Sequence, residues 1–444
     1  MYARRFKEDK GVLASRHMKI LLLLPWETDY MAYRDRFSTK LTYAPLTLAA
    51  LAAMVPAELN AQVDICDEMA QSFSYDTRYD IVAISFVTSS AVRAYRIAEK
   101  FRGKGAHIVM GGYHASFMPD EAAQHADTII VGPAERAFPQ FLRDFVNKTP
   151  LAKYEIPHIT PDDCVIPRRD LLPKKGYLNV PCVVADRGCP NRCEFCAISA
   201  INPPCPRPAS AVIDEIKALK TRQLLFFDPN FFSNKFYALE LMDGLSRLNI
   251  RWGSNATVQT AFDPELVEAA RKSGCAGVLF GLESLNRDAM IAVKKGFNDP
   301  GKYKQAVDIM RDNNISVNGC FVLGFDYDTK ESIQTLPEQV EYLGVNIVRY
   351  AILTPVPGSQ LYNRLNDEGR IITTDWRKYT QNKAVFRPKN MTPQELEAIY
   401  QKVWRDSYKM GKVFKRSNNA PWSNKLILLG ANLGFKYVST NLDR

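Results

Sequence analysis

Eight residues set the terms for this chain: Cys189-Pro190-Asn191-Arg192-Cys193-Glu194-Phe195-Cys196. The spacing is CxxxCxxC, with an aromatic residue directly before the last thiol. Three thiolates this close can hold three irons of a cubane cluster, and no fourth cysteine is near in sequence. One iron then stays open, able to bind a small molecule and pass it one electron. Other uses of close cysteines fit less well. Structural zinc takes four ligands, usually as CxxC pairs, and no histidine follows His158. A disulfide calls for an exported chain, whereas the opening MYARRFKEDK is charged and has no apolar core.

The rest of the composition is that of a globular protein. No apolar stretch reaches the roughly 18 residues of a membrane span. Six of the nine cysteines lie outside the motif (Cys66, Cys164, Cys182, Cys205, Cys275 and Cys320) and read as reduced thiols or small core residues. A cytoplasmic location is expected. The net charge of +10 is concentrated at the ends. Residues 1–19 hold six Lys/Arg against two Asp/Glu, and residues 402–444 hold nine against two. Those surpluses of +4 and +7 leave −1 for everything between, so the central body has no positive excess for a phosphate backbone. No nucleic-acid partner is expected. The apolar run 426–435 between Lys425 and Lys436 is instead a segment that could lie on a membrane surface or line an apolar channel.

Two successive alternations of strand and helix follow the basic tail of residues 1–17. In the first, apolar runs at 19–25, 62–66, 80–85, 107–110 and 128–131 predict buried strands, with a helix over 91–100. This pattern gives a doubly wound, Rossmann-like parallel sheet over 18–150. Its strand ends carry Ser85, Gly111, Gly112 and Gly132. Residues 151–180, rich in Pro, Lys and Asp, read as a linker. The second alternation predicts strands at 182–187, 223–227, 251–257, 277–281, 316–323 and 347–353, separated by helices. Six parallel strands with outer helices make a partial (β/α)6 barrel over 181–365, with its site at the strand carboxyl ends. The cysteine loop follows the first of these strands. A helical, basic C-terminal region, 366–444, closes the chain.

Motif and order together resemble the radical S-adenosylmethionine (SAM) superfamily, in the class that carries a cobalamin-binding-like domain first. The cysteine run resembles its cluster-binding loop. The opening strand closed by Pro25, then Ser85-Phe86-Val87-Thr88, Gly111-Gly112-Tyr113-His114-Ala115 and Gly132-Pro133-Ala134-Glu135 resemble its cobalamin domain. The resemblance implies a [4Fe–4S] cluster on Cys189, Cys193 and Cys196, with SAM on the open iron. Phe227, Asp228 and Asn230 would supply acceptors for the SAM ammonium, and Gln259 would face the cofactors. Glu283, in Gly281-Leu282-Glu283-Ser284, would hold the ribose beside Ser284. Gly324 and Phe195 would pack on the adenine, with Tyr350 at the sixth strand closing the pocket. Ser85, Gly111, Gly112 and Gly132 would meet cobalamin. Residues 18–106 contain no histidine, so the D-x-H-x-x-G cobalt ligand of many cobalamin domains is missing. Cobalamin is therefore expected without a histidine ligand.

The implied activity is C-methylation of an unactivated carbon through a 5′-deoxyadenosyl radical, with cobalamin carrying the methyl group. Rearrangement, cyclisation or oxidation is the alternative within the class. A one-electron reductant such as flavodoxin or ferredoxin is implied as partner. RNA methylthiolation is disfavoured, because Cys66 is the only cysteine in the first sheet. A cofactor carrier without catalysis is disfavoured by the near-complete SAM elements. Trp376, Tyr379 and Phe386 are expected to roof an apolar substrate: lipid-like, isoprenoid or tetrapyrrole.

Overall fold

The computed structural model describes residues 17–26, 42–201 and 203–442. All but one residue of the basic N-terminal tail lies outside them. Two parallel six-stranded sheets carry the fold.

The first sheet contains β1 (Lys19–Leu24), β2 (Gln62–Asp67), β3 (Ile81–Ser85), β4 (His107–Gly111), β5 (Thr128–Val131) and β6 (Lys153–Glu155). The strand order is β2-β1-β3-β4-β5-β6, and every pairing is parallel. The order reverses between β1 and β3, the switch point at which such sheets bind ligands. Apolar residues on both faces explain the continuous runs. Leu21 and Leu23 join one core layer, and Ile20 and Leu22 join the other. Strand β6 corrects the reading of 151–180 as pure connector. Its Lys-Tyr-Glu sequence offers one apolar side chain, Tyr154, which is buried against Phe141.

The second sheet runs in chain order, β7 (Cys182–Val183), β8 (Gln223–Phe226), β9 (Arg251–Ala256), β10 (Cys275–Glu283), β11 (Ser316–Leu323) and β12 (Ile347–Ile352). It is the expected partial barrel, since β7 and β12 are opposite edges. Strand β7 is shorter than the expected 182–187. After Val183 the backbone leaves the sheet, and the Ala185 amide donates to the Asp228 carboxylate instead (2.8 Å).

The C-terminal region does two jobs, neither of them a roof. Trp376 and Tyr379 pack into the core of the first sheet, where the Trp376 indole donates to Glu121 (2.8 Å). Phe386 is buried against Phe325 and Leu361. These aromatic residues have satisfied partners and tie the tail across both sheets, correcting the expectation that they cap a substrate. Helix Lys425–Thr440 lies across the amino-terminal ends of the barrel strands. Asn424 donates to the Ala276 carbonyl and the Ser316 hydroxyl, and Asn432 donates to the Asn346 carbonyl. That position is the floor of the barrel, so the apolar run does not line the channel considered for it.

Candidate active site

The site begins at the cysteine loop. Cys193 is buried, while Cys189 and Cys196 are partly exposed. The three thiols lie within electrostatic reach of one another. Burial pushes the Cys193 thiol up to about 11, with the Lys295 ammonium pulling the other way. Among the described residues, no three His, Cys, Asp or Glu side chains converge tightly enough to hold one metal ion. Three thiols in one short loop, with the Lys295 ammonium beside them, are the donor set that a cluster with one open iron takes.

The loop is held from both sides. The Glu194 amide donates to the Val293 carbonyl (2.9 Å), and the Glu194 carboxylate takes a two-armed bond from Arg364 (2.6 and 3.2 Å). Arg364 also meets Asp326, which binds Arg370. Sequence reading missed this network, because its members lie about 170 residues apart.

Glu283 is held in place by its backbone and by its neighbours. It ends β10 at φ +60°, in the left-handed region that few residues other than glycine adopt. The ladder to β11 shifts register between Gly281 and Glu283. The Tyr303 hydroxyl donates to the Leu282 carbonyl (2.7 Å) and the Asn298 amide to the Gly281 carbonyl (2.7 Å), which fixes the turn. Lys295 then donates to Glu283 Oε1 at 2.5 Å. A Cβ on Gly281 would lie 2.3 Å from that oxygen and 2.7 Å from Nζ, so a larger residue there would have to displace the ends of both side chains. Burial opposes the Lys295 charge, and Glu283 outweighs it, holding the ammonium above its ordinary range. Lys295 also lies 5.8 Å from the centre of the Phe195 ring. Glu283, Phe195 and the cysteine loop are therefore neighbours. The lysine that joins them follows in Val293-Lys294-Lys295-Gly296, a signal not used above.

Other expected residues divide. Asn230 is buried with its Oδ1 unpartnered, an acceptor waiting for a donor. Phe227 lies exposed at the end of β8. The Asp228 carboxylate turns back onto the backbone, and the Asp228 carbonyl accepts from Asn255 (2.8 Å). The Ser284 hydroxyl accepts the Asn286 amide. Gly324 takes φ +102°, donates to Asp328 and precedes Phe325, whose ring is 6.1 Å from Phe195. Gln259 is exposed past β9, outside the cavity described next. Tyr350 points away from the barrel interior, bonding Ser407 (2.7 Å) and packing on Trp404, so it does not close the pocket.

One cavity of about 530 Å³ joins the two sheets. Leu24, Ser85, Gly111, Gly112 and Gly132 wall it from the first sheet. Arg187, Ile198, Phe227 and Pro229 wall it from the barrel, and Arg187 and Ile198 flank the cysteine loop. The glycines are structural demands. Gly112, at φ +91°, would place a Cβ 2.8 Å from the Phe86 backbone, and Gly132, at φ +81°, 2.8 Å from the Ile156 carbonyl. Ser116, another unforeseen residue, links the two turns by donating to the Gly112 carbonyl and accepting the Gly132 amide. Across the cavity Arg187 pairs with Glu135, whose carboxylate is fully buried. A smooth glycine floor and a mainly apolar wall fit a flat macrocycle. Among the described residues, no histidine lines the cavity. His114 is buried outside it, between Thr88 (3.2 Å) and Glu121 (3.4 Å).

With this geometry in hand, comparison with known proteins is direct. Residues 183–339 match the Radical SAM superfamily, 36–142 match the B12 binding domain, and 359–421 match a domain of unknown function. The chain carries a radical SAM domain preceded by a B12-binding domain. The radical SAM domain takes a [4Fe–4S] cluster and SAM, and the domain before it takes cobalamin. Bacteriochlorophyllide d C-12(1)-methyltransferase of Chlorobaculum tepidum is 29% identical over 369 residues, 80% of each chain. The C-8(2)-methyltransferase of the same organism is 29% identical over 88% of this chain and 91% of its own. Hopanoid C-2 methylase of Rhodopseudomonas palustris is 26% identical over 75% of this chain and 66% of its own. Among solved structures, the cobalamin-dependent radical enzyme OxsB superposes with a TM-score of 0.70 over 96% of this chain and 72% of its own, at 14% identity. The methyltransferase TsrM of Kitasatospora setae gives 0.66 over 96% of this chain and 100% of its own, at 13% identity. These two share the fold.

Proposed function

We propose that the chain is a cobalamin-dependent radical SAM C-methyltransferase acting on an unactivated carbon of a small apolar molecule, with tetrapyrroles as the leading substrate class. One observation carries the reading: a single cavity is walled by the glycine turns of the B12-binding domain and by residues flanking the cysteine loop. Relatives that methylate bacteriochlorophyllide d along most of their length support both the reaction and the substrate class.

When bound, the cluster with SAM supplies a 5′-deoxyadenosyl radical and cobalamin supplies the methyl group. No side-chain acid or base breaks such a C–H bond, so the protein positions and shields. Cys189, Cys193 and Cys196 would hold the cluster. Glu283 would accept from the ribose hydroxyls, with Lys295 holding its carboxylate in orientation. Asn230 Oδ1 is free to accept from the SAM ammonium. Phe195 and Gly324 belong beside the adenine. Ser85, Gly111, Gly112 and Gly132 would cradle cobalamin without a histidine ligand. The apolar wall excludes water from the radical. A reductant such as flavodoxin or ferredoxin would deliver the electron, in the cytoplasm, with membrane contact through the C-terminal region. The domain limits would be 18–150, 181–365 and 366–444.

The test is anaerobic turnover of the reconstituted enzyme with methyl-labelled SAM and a bacteriochlorophyllide. Product heavier by one labelled CH2, formed together with 5′-deoxyadenosine and S-adenosylhomocysteine, is expected. Deoxyadenosine and altered product without S-adenosylhomocysteine would overturn methylation. It would favour cyclisation, the reaction named for a Rubrivivax gelatinosus relative 25% identical over 80% of this chain.

A further inference from the structure

The floor of the barrel carries an exposed apolar stripe. Helix Lys425–Thr440 buries Leu428, Asn432, Gly434 and Ser439 against the barrel. A surface helix normally turns polar residues to water on the other side. Here that side holds Leu426, Gly430, Leu433 and Tyr437, at spacings of three and four, with Ile427 beside them. Leu426 is 84% exposed and Ile427 62%. Trp422, in the turn before the helix, is 85% exposed. The neighbouring helix Met410–Asn418 adds Met410 and Phe414, also exposed. Asn424 and Asn432 anchor the helix from beneath, so this outward face is fixed in place.

Cations accompany the apolar stripe. Lys425 lies 5.3 Å above the Trp422 ring. Lys415, Lys425 and Lys436 have no acidic partner among the described residues, unlike Lys402, Lys409 and Lys412. The segment 402–444 carries the +7 surplus noted above.

We propose that this face docks on an anionic lipid bilayer, with Trp422, Leu426, Ile427 and Leu433 entering the interface and the lysines meeting the headgroups. Tryptophan with aliphatic residues suits the boundary between acyl chains and headgroups. Lysines beside them suit anionic lipid. A second copy of the chain would meet this surface across a twofold axis, setting lysines against lysines. Docking here leaves the cavity, at the opposite ends of the barrel strands, facing away from the bilayer plane. The inference is independent of the reaction.

The test is flotation of the full chain with vesicles of phosphatidylcholine alone or mixed with phosphatidylglycerol. The wild type should float at least tenfold more with the anionic vesicles, and less as salt rises. Two variants probe the two contributions: Trp422→Ser with Leu426→Ser and Ile427→Ser, and Lys415→Gln with Lys425→Gln and Lys436→Gln. Each should lose at least tenfold in flotation while keeping the wild-type circular dichroism and iron content, since all six side chains are surface groups. Absence of flotation by the wild type, or undiminished flotation by the apolar variant, would overturn the proposal. So would a dimer in sedimentation that the apolar variant turns into a monomer. None of these outcomes reads turnover, so the proposed reaction is judged separately.

Discussion

Asp228 shows how one atom placement changes a role. It is wholly buried, and desolvation pushes its carboxyl up to about 8, against the pull of the Ala185 and Asp186 amides. An acid whose folded pKa exceeds its unfolded value, about 3.9, holds its proton more tightly when folded. Its contribution to stability is complete below about pH 4 and is lost as pH rises through about 8. Asp228→Asn keeps an acceptor for the Ala185 amide and cannot ionise. The variant should therefore gain on the wild type from pH 5 to pH 8, by at least ~1 kcal/mol in denaturant unfolding, below the value of one pKa unit. Parallel pH profiles would rule the argument out. The sequence indicated that residues 227–230 end a barrel strand, because a strand pattern stops there. It could not indicate that the carboxylate turns inward, since that depends on where β7 stops. The cysteines were legible because three ligands in eight residues constrain one another locally. Lys295 was not, because its partnership with Glu283 depends on a bulge and a positive φ.

Among the elements, the cysteine loop has little regular structure and borrows its order from the helix Gln360–Asp367 through Arg364 and Glu194. Glu194 is buried, while Arg364 keeps about a third of its surface in water. Losing hydrogen bonds to a charged group costs about 1.5–3 kcal/mol, and this exposure favours the lower end. Arg364→Ala should leave the cysteines in sequence but loosen their loop. A chelator should strip iron from the variant about tenfold faster than from the wild type, with Arg364→Lys between them. Equal release rates would make the network incidental to the loop. The strands were legible where both faces are buried, as in Leu21 to Leu23. Strand β6 was not, since Tyr154 alone marks it. The helix Met410–Asn418 escaped notice because Lys412, Lys415 and Arg416 break its apolar pattern.

At the scale of the whole molecule, the two sheets meet across the cavity, and the Glu135–Arg187 pair spans the gap. Burial pulls the Arg187 guanidinium below its ordinary range. Glu135→Gln would leave that cation without its counter-charge, at a cost of about 3 kcal/mol, the low end for a buried pair because Arg187 keeps some solvent contact. Hydrogen exchange should rise in the cavity wall around residues 132–138 and 184–187, and remain unchanged at the barrel floor. Uniform exchange would mean that the pair does not hold the sheets together. The order of domains was legible from the two alternations, but the joint between them was not, because it is made by single side chains. Both sheets consist wholly of parallel pairs, so each strand must wait for an intervening crossover before it finds its neighbour. Such topologies assemble slowly. During that interval all nine thiols stand open to oxidation, although the finished molecule buries five of them. Oxygen met during assembly would therefore threaten four thiols that the fold goes on to bury, Cys66, Cys182, Cys205 and Cys275, as well as the three of the cluster loop.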